Sequence, residues 1–356
     1  MGARAAAGFL YNAAVKSGIT RRTLLEALPL AAIAVRAGAQ PATTPIPARK
    51  LSQMTLLVSD LQRSLEFYQG LFGMPIQARQ GSTVLLRVGT GPQFLALKAA
   101  EGSARPGYSH FGLAVDGFNA DRVLKSLTDH GVTRGEEPAP MTARIQMRGP
   151  EEGGAREGTP ELFLRDPSGI LVQLQDSTYC GGAGPLGNVC RALQSSPPKS
   201  RFTLRDLSHF TIFAPDPPRA QQFYQELFGL FVQAHQGPNA PIFGVGSGPQ
   251  FLMLTGGGAR AGAPAGSINH GCFFIDGFNP DAVLKGLTEY GLKPRENNSQ
   301  PAGPMQHYVT LRMPNRGGSP EGTPELYFTD PDGILLQLQD PRYCGGAGRL
   351  GEVCKG

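Results

Sequence analysis

The sequence lacks several features that identify common classes of protein. No basic run is interleaved with aromatic residues, and residues 1–39 carry +4 of the net charge of +5, so only about +1 remains for the rest of the chain. Nucleic-acid binding therefore has no support. No Gly-x-Gly-x-x-Gly stretch lies between a predicted strand and a predicted helix, so a dinucleotide site of that type is also unsupported.

Long apolar runs are absent as well. The main apolar stretch, Ala27 to Val35, is too short to span a bilayer stably and is interrupted by Pro29. It follows the pair Arg21-Arg22 and precedes Ala37-Gly38-Ala39, which is typical of a twin-arginine export signal with its cleavage site. We predict that residues 1–39 are this signal, that the mature protein is periplasmic or otherwise exported, and that it has no stable membrane insertion once the signal is removed. A leader helix without a targeting role is the alternative.

Cysteine is scarce, with five residues in 356, and four of them form two matched pairs. Cys180/Cys190 and Cys344/Cys354 each bound a Gly-rich segment of the form YCGGAGxLGxVC. In an oxidising compartment such a segment is most simply a disulfide clip. The alternative, a metal knuckle, lacks a nearby His or further Cys to complete four ligands. Cys272 remains either a buried packing residue or a thiolate ligand.

An internal repeat dominates the rest of the chain. LSQMTLLVSDLQRSLEFYQGLFG (51–73) matches LSHFTIFAPDPPRAQQFYQELFG (207–229), and EGTPELFLRDPSGILVQLQD (157–176) matches EGTPELYFTDPDGILLQLQD (321–340). The repeat predicts an N-terminal domain at 51–190 and a C-terminal domain at 207–354. The polar, Pro-containing residues 191–206 between them are predicted to be a linker.

Each repeat divides again into two modules. A strand at Met54–Val58 precedes a helix at Leu61–Phe72 that ends at Gly73, and two or three strands follow before the pattern restarts at His110. The predicted fold class is α+β, with tandem βαβββ modules and four modules that form two cup-shaped domains. On the last strand, Gln337 and Gln339 alternate with Leu336 and Leu338, so one face is apolar and the other carries amides.

This organisation resembles the vicinal oxygen chelate superfamily, which includes glyoxalases, bleomycin-resistance proteins and type I extradiol dioxygenases. The resemblance lies in SHFTIFAPDPPRAQQFYQELFG, NHGCFFIDGFNPDAVLKGL and LYFTDPDGILLQL, and it covers nearly all of the predicted mature chain. The superfamily contains both metalloenzymes and metal-free binding proteins on one scaffold.

The resemblance implies metal ligands at three positions of the C-terminal domain, His209, His270 and Gln337. The implied cofactor is a divalent metal, Fe(II), Mn(II) or Zn(II), which typically takes two imidazoles and a carboxylate and keeps open sites. Gln337 stands where the carboxylate is expected, and Glu325 is the candidate substitute ligand.

The same positions in the N-terminal domain are Gln53, His110 and Gln173, so this copy is predicted to have a degenerate site. Two further differences between the copies fall near the expected site, since Tyr327 replaces Phe163 and His307 replaces Ala143. We predict Tyr327 and His307 to be the catalytic residues, for proton transfer or for orienting a phenolic or enolic substrate.

Together these observations predict an exported metal-dependent enzyme, with dioxygenase-like action on a small oxygen-chelating substrate. One alternative is a non-catalytic protein that sequesters a small ligand, and another is a glyoxalase-like lyase or isomerase. The expected partners are a small molecule, no nucleic acid, and a second copy of the chain if the protein forms a homo-oligomer.

Overall fold

The structure, a computed structural model, describes residues 44–191, 193–194, 200–238, 240–256, 266–297 and 299–354. The predicted export signal, and residues 192 and 195–199 of the predicted linker, lie outside the described residues. No helix in the described ranges is long and apolar enough to cross a membrane.

The N-terminal repeat contains nine strands and two helices. In chain order they are β1 (Ala48–Val58), α1 (Leu61–Phe72), β2 (Ile76–Gln80), β3 (Thr83–Arg87), β4 (Phe94–Ala99), β5 (Gly107–Val115), α2 (Ala120–Asp129), β6 (Thr133–Arg134), β7 (Thr142–Arg148), β8 (Thr159–Arg165) and β9 (Leu171–Asp176). A short 3-10 helix, Pro150–Glu152, follows β7.

The C-terminal repeat has the same elements in the same order. They are β10 (Leu204–Phe213), α3 (Pro217–Phe228), β11 (Phe231–His235), β12 (Pro241–Gly244), β13 (Phe251–Thr255), β14 (Ser267–Ile275), α4 (Pro280–Tyr290), β15 (Lys293–Pro294), β16 (Gln306–Arg312), β17 (Thr323–Thr329) and β18 (Leu335–Gln339). A 3-10 helix, Pro314–Arg316, follows β16.

Each repeat forms one nine-stranded mixed sheet. The order is β2-β3-β4-β1-β5-β9-β8-β7-β6 in the first and β11-β12-β13-β10-β14-β18-β17-β16-β15 in the second. The first strands of the two modules pair antiparallel at the centre, and each pairs in parallel with the last strand of its own module. The predicted α+β class with tandem modules is confirmed, and each second module has an additional two-residue strand after its helix.

Local signals in the sequence fix the ends of the helices. The Asp60 side chain caps the first turn of α1 by accepting a hydrogen bond from the backbone N–H of Arg63, and Gly73 ends the helix in the left-handed conformation. Asn119 and Asn279 cap α2 and α4 in the same way. The predicted bounds of α1 are therefore confirmed, because both of its ends are specified by single residues.

The strands send one face into a common core, and the other face carries polar side chains together with a small apolar cluster in each sheet. Leu336 and Leu338 of β18 belong to a large buried cluster that contains apolar residues of both repeats, whereas Gln337 and Gln339 point to the opposite face. Phe111 and Phe210, from the central strands of the two sheets, stack at a ring distance of 4.9 Å. The apolar faces of both sheets thus share one core.

Reciprocal hydrogen bonds also join the two repeats. The Tyr68 hydroxyl on α1 donates to Asp330 in the turn before β18 at 3.1 Å, and Tyr224 on α3 donates to Asp166 at 3.1 Å. Both carboxyl groups also accept backbone N–H groups of their own turns. Burial raises the pKa of Asp166 and that of Asp330 to about 6. The hydrogen bonds stabilise the charged form and lower the pKa, but the effect of burial is larger.

These pKa shifts predict a pH-dependent contribution to stability. A carboxyl group whose pKa is raised by folding stabilises the fold at low pH, and this contribution is lost as the pH rises through the folded value near 6. Asp330→Asn removes the group that must ionise. From pH 5 to pH 7.5, the free energy of unfolding of the unmodified protein should therefore fall by about 1 kcal/mol more than that of Asp330→Asn.

Denaturant unfolding at both pH values measures this difference. Asp129→Asn, at an exposed position, is the control and should track the unmodified protein. A constant difference between Asp330→Asn and the unmodified protein across the pH range would contradict the assignment.

Candidate functional site

Three side chains of the second sheet converge on its polar face. His209 on β10, His270 on β14 and Gln337 on β18 lie on adjacent strands at the centre of the sheet. The two Nε2 atoms are 3.3 Å apart, and the Gln337 Oε1 atom lies 3.1 Å from the Nε2 atom of His270. We call the cavity above them the C-terminal cup. The structure thus brings together the three residues for which a ligand role was predicted.

The neighbouring residues orient both imidazoles. The Nδ1–H of His270 donates to the Asn269 Oδ1 atom at 2.7 Å, which leaves the Nε2 atom with a lone pair. The Nδ1 atom of His209 is 3.0 Å from the Ser208 hydroxyl, and Phe251 stacks on the His209 ring at 4.2 Å. Each ring is therefore held with its Nε2 atom directed into the cup.

Burial keeps both imidazoles uncharged at neutral pH. It lowers the pKa of His270 to about 4, although the Gln337 amide favours the charged form. The pKa of His209 is lowered well below its usual value, first by burial and then by the proximity of His270. Neutral imidazole is the form that binds metal ions.

Beside the two imidazole nitrogens, the third converging atom is the oxygen of an amide. The Oε1 atom of Gln337 faces the two imidazoles, and its Nε2 atom is buried without a hydrogen-bond partner. Among the described residues, no group of three or more His, Cys, Asp or Glu is placed to hold a metal ion. A metal in this cup therefore has to use the Gln337 oxygen, and its protein ligands bring no negative charge.

Glu325, the predicted substitute ligand, lines the cup but is held in a buried ion pair. Its Oε1 atom accepts hydrogen bonds from the Arg312 Nε atom at 2.8 Å and from the Tyr343 hydroxyl at 3.1 Å. The Arg312 side chain is fully buried, so the carboxylate is its necessary counter-charge. Glu325 is therefore the counter-ion of Arg312, and Gln337 is the third residue beside His209 and His270.

Tyr327 lies in the cup as expected. Its ring meets His270 edge-on at 5.3 Å, and its hydroxyl is 3.4 Å from the Glu325 Oε2 atom. Burial, followed by the charge of Glu325, raises the pKa of the phenol well above its usual value, so it keeps its proton. Tyr308 stacks on the other side of the ring at 5.1 Å. Tyr327 is therefore a hydrogen-bond donor at the cup wall.

His307, the other predicted catalytic residue, does not reach the cup. It pairs with Phe328, a residue of the apolar core, and lies on the opposite face of β16 from Tyr308. Its Nε2 atom is 2.8 Å from the Thr288 hydroxyl of α4. The side chain thus packs between sheet and helix, which differs from the sequence-based expectation, and no catalytic role follows from its position.

Cys272 is buried beneath the same group. It pairs with His209 on one neighbouring strand and with Gln337 on the other. Burial raises the pKa of its thiol well above the usual value, so in the metal-free protein the thiol keeps its proton at neutral pH. The packing interpretation of Cys272 is therefore favoured.

The corresponding residues of the N-terminal repeat form a hydrogen-bonded cluster. The Gln53 Nε2 atom takes the place of an imidazole, donates to the Gln173 Oε1 atom and lies 3.2 Å from the His110 Nε2 atom. Thr55 lies 3.1 Å from the same His110 atom. One imidazole and two amides contact one another here, while the Gln53 Oε1 atom is buried without a hydrogen-bond partner. That this copy holds a degenerate site stays a prediction.

The C-terminal cup is a cavity of about 260 Å³. This is below the ~300–1,000 Å³ of typical ligand pockets, so it suits a molecule of about one ring. The lining combines polar groups with aromatic and apolar walls and comprises His209, Thr211, Phe213, Gln236, Phe251, Met253, Thr255, Asn269, His270, Arg316, Glu325, Tyr327, Gln337 and Tyr343.

Sequence reasoning missed the arginine that organises the rim of the cup. Besides holding Glu325, Arg312 donates to the Gly346 carbonyl at 2.9 Å, within the disulfide clip Cys344–Cys354. Both predicted disulfides are present, and Arg148 holds the Cys180–Cys190 clip in the same manner through Gly182. The signal in the sequence that could have identified this arginine is its recurrence at the same position of both repeats.

The sequence profile of the Glyoxalase/Bleomycin resistance protein/Dioxygenase superfamily matches residues 50–174 and 206–338. The two matches cover more than half of the chain, one in each repeat. The chain therefore belongs to this superfamily. In sequence, none of the curated proteins compared with the chain matches it.

Solved structures with similar folds include enzymes of this superfamily. The Mn(II)-bound glyoxalase from Novosphingobium aromaticivorans is 14% identical with a TM-score of 0.56, covering 82% of each chain. An extradiol ring-cleaving dioxygenase from Brevibacterium fuscum is 18% identical with a TM-score of 0.56, over 85% of this chain and 75% of its own. The 2,3-dioxygenase LapB from Pseudomonas sp. KL28 is 14% identical with a TM-score of 0.56, over 83% and 92%. At these identities the likeness concerns the fold.

The buried ion pair of the cup yields a stability prediction. Glu325→Gln leaves the Arg312 charge uncompensated in the interior and should lower the free energy of unfolding by about 3 kcal/mol. Glu161→Gln should have a similar effect in the N-terminal repeat, where Arg148 bonds Glu161 at 2.7 Å. Denaturant unfolding checks both variants, with the exposed Glu137→Gln as control. Unchanged transition midpoints would show that these pairs are not structural.

Proposed function

We propose that the C-terminal cup holds a divalent cation through His209, His270 and Gln337 and acts on a small oxygen-chelating substrate. The observation that carries this proposal is the convergence of two neutral imidazole Nε2 atoms and one amide oxygen, with 3.3 Å and 3.1 Å between neighbouring atoms. Neutral donors directed at one point fit a cation. Fe(II), Mn(II) and Zn(II) all accept imidazole and oxygen ligands.

A divalent cation at this point would polarise two neighbouring oxygens of a substrate and leave positions open for a further small ligand. The residues of the chain supply the rest. Phe251 and the ring of Tyr327 form walls of the cup, and the protonated Tyr327 hydroxyl can donate to a phenolic or enolic oxygen. This arrangement favours dioxygenase-like chemistry on an aromatic or enolic molecule, in line with the superfamily to which the chain belongs.

Non-catalytic ligand sequestration is the second candidate. The specific observation in its favour is the neutral donor set, because Gln337 replaces a carboxylate and the charge of Glu325 is already compensated by Arg312. Such a set binds a divalent cation more weakly than one with a carboxylate. Oxygen uptake by the metal-loaded protein with a catechol separates the two candidates, since sequestration gives binding without uptake.

We also propose that the protein works in an oxidising compartment. The two disulfides support this, because such bonds persist in exported proteins and are rare in the cytosol. Both lie in matching Gly-rich clips of the described chain. Fractionation of cells that produce the full-length chain should recover it outside the cytosol.

Metal analysis of the purified protein tests the proposed site. We expect about one divalent ion per chain, and its loss when His209→Ala is combined with His270→Ala, because both imidazole ligands are then absent. His110→Ala removes the imidazole of the N-terminal network and should leave the metal content unchanged. Circular dichroism verifies that each variant is folded. A metal-free unmodified protein, or a double variant that keeps its metal, would overturn the assignment.

Gln337→Glu probes the third ligand. It adds a negative charge beside the cation and should tighten divalent metal binding by at least about tenfold, as measured by competition with a chelator. Gln173→Glu, at the same position of the N-terminal repeat, is the matched control and should leave that affinity unchanged. Equal affinities of Gln337→Glu and the unmodified protein would mean that this side chain does not contact the metal.

A further inference from the structure

Among the described residues, the lining of the C-terminal cup contains two charged side chains, Glu325 and Arg316. The carboxylate of Glu325 is neutralised by the buried guanidinium of Arg312, at 2.8 Å. The side chain of Arg316 makes no hydrogen bond or ion pair with another residue in the ranges that the structure describes. Arg316 is exposed to solvent, and it leaves the described lining of the cup with one positive charge that no protein carboxylate compensates, apart from any metal.

The backbone of Arg316 is fixed relative to the cup. Arg316 ends the 3-10 helix Pro314–Arg316, and its N–H group bonds the Met313 carbonyl at 2.9 Å. Its own carbonyl accepts a hydrogen bond from the Arg312 Nη1 atom at 3.3 Å. Because the same Arg312 side chain also holds Glu325, the loop that carries Arg316 and the wall of the cup are joined through one rigid group.

The N-terminal repeat has the same backbone at this place but carries a side chain of the opposite charge. Its 3-10 helix ends at Glu152, whose carbonyl faces the Nη1 atom of Arg148 at 3.5 Å, just as the Arg316 carbonyl faces Arg312. The N-terminal repeat thus carries an acidic residue at the position where the C-terminal repeat carries a basic one. The difference is confined to the side chain, since the backbone contacts are the same.

We propose that Arg316 makes the C-terminal cup selective for an anionic ligand, a one-ring aromatic or enolic molecule that carries a carboxylate beside its chelating oxygens. The carboxylate pairs with the guanidinium of Arg316 while the chelating oxygens face His209, His270 and Gln337. The volume of about 260 Å³ limits the ligand to roughly one ring with short substituents. The inference deepens the proposed function and rests on it for the chelating half of the ligand only.

Two probes of equal size test the selectivity, 3,4-dihydroxybenzoate and its neutral counterpart 3,4-dihydroxybenzamide. Calorimetric titration measures their affinities for the purified protein, once after treatment with a chelator and once loaded with Mn(II). We expect the carboxylate to bind at least about tenfold more tightly than the amide in both forms, because it alone makes a charge-assisted bond to Arg316.

Substitutions attribute the preference to one residue. Arg316→Gln should abolish it and Arg316→Lys should retain part of it, whereas Glu152→Gln, the matched change in the N-terminal repeat, should leave it intact. Equal binding of the two probes, binding of neither, or a preference that survives Arg316→Gln would overturn the inference.

The metal-free measurement separates this inference from the proposed function. A preference that depends on Arg316 in a protein that binds no metal would support the inference and refute the metal site. Stoichiometric Mn(II) binding without any preference between the probes would do the reverse.

Discussion

A buried guanidinium is the constraint on which the polar side of each repeat depends. Arg312 joins the carboxylate of Glu325, a carbonyl of the disulfide clip and the turn after β16, and Arg148 joins the same three parts in the first repeat. A charge inside a protein is tolerated only when its partners are in place. The clip, the turn and the buried carboxylate are therefore held in one arrangement in both copies.

On this shared frame, a few side chains decide what each copy can do. His209 stands where the first repeat has Gln53, so an amide that donates to Gln173 is replaced by an imidazole whose Nε2 atom lies 3.3 Å from that of His270. The change from Phe163 to Tyr327 adds a hydroxyl at the wall. Since the strand register around these positions is the same in both sheets, the side chains differ without a change of backbone.

Much of the fold was predictable because its signals are local. Asp60 and Gly73 define α1, and the alternation of leucines and glutamines in β18 places Gln337 on the polar face. The position of His307 was not predictable, because its face follows from its pairing with Phe328 across a chain reversal. The partner of Glu325 was missed for the same kind of reason, although the recurrence of Arg148 and Arg312 in the two copies pointed to it.

The reciprocal bonds between Tyr68 and Asp330 and between Tyr224 and Asp166 have an evolutionary consequence. The repeat indicates a gene duplication, after which each half supplies a buried hydrogen-bond partner to the other. Natural selection on folding therefore acts on both halves at once. Under the proposed function, selection on ligand binding acts on the polar face of the second half alone. The first half can thus accumulate changes around His110 without loss of its architectural role, which explains why two such similar sequences enclose such different surroundings.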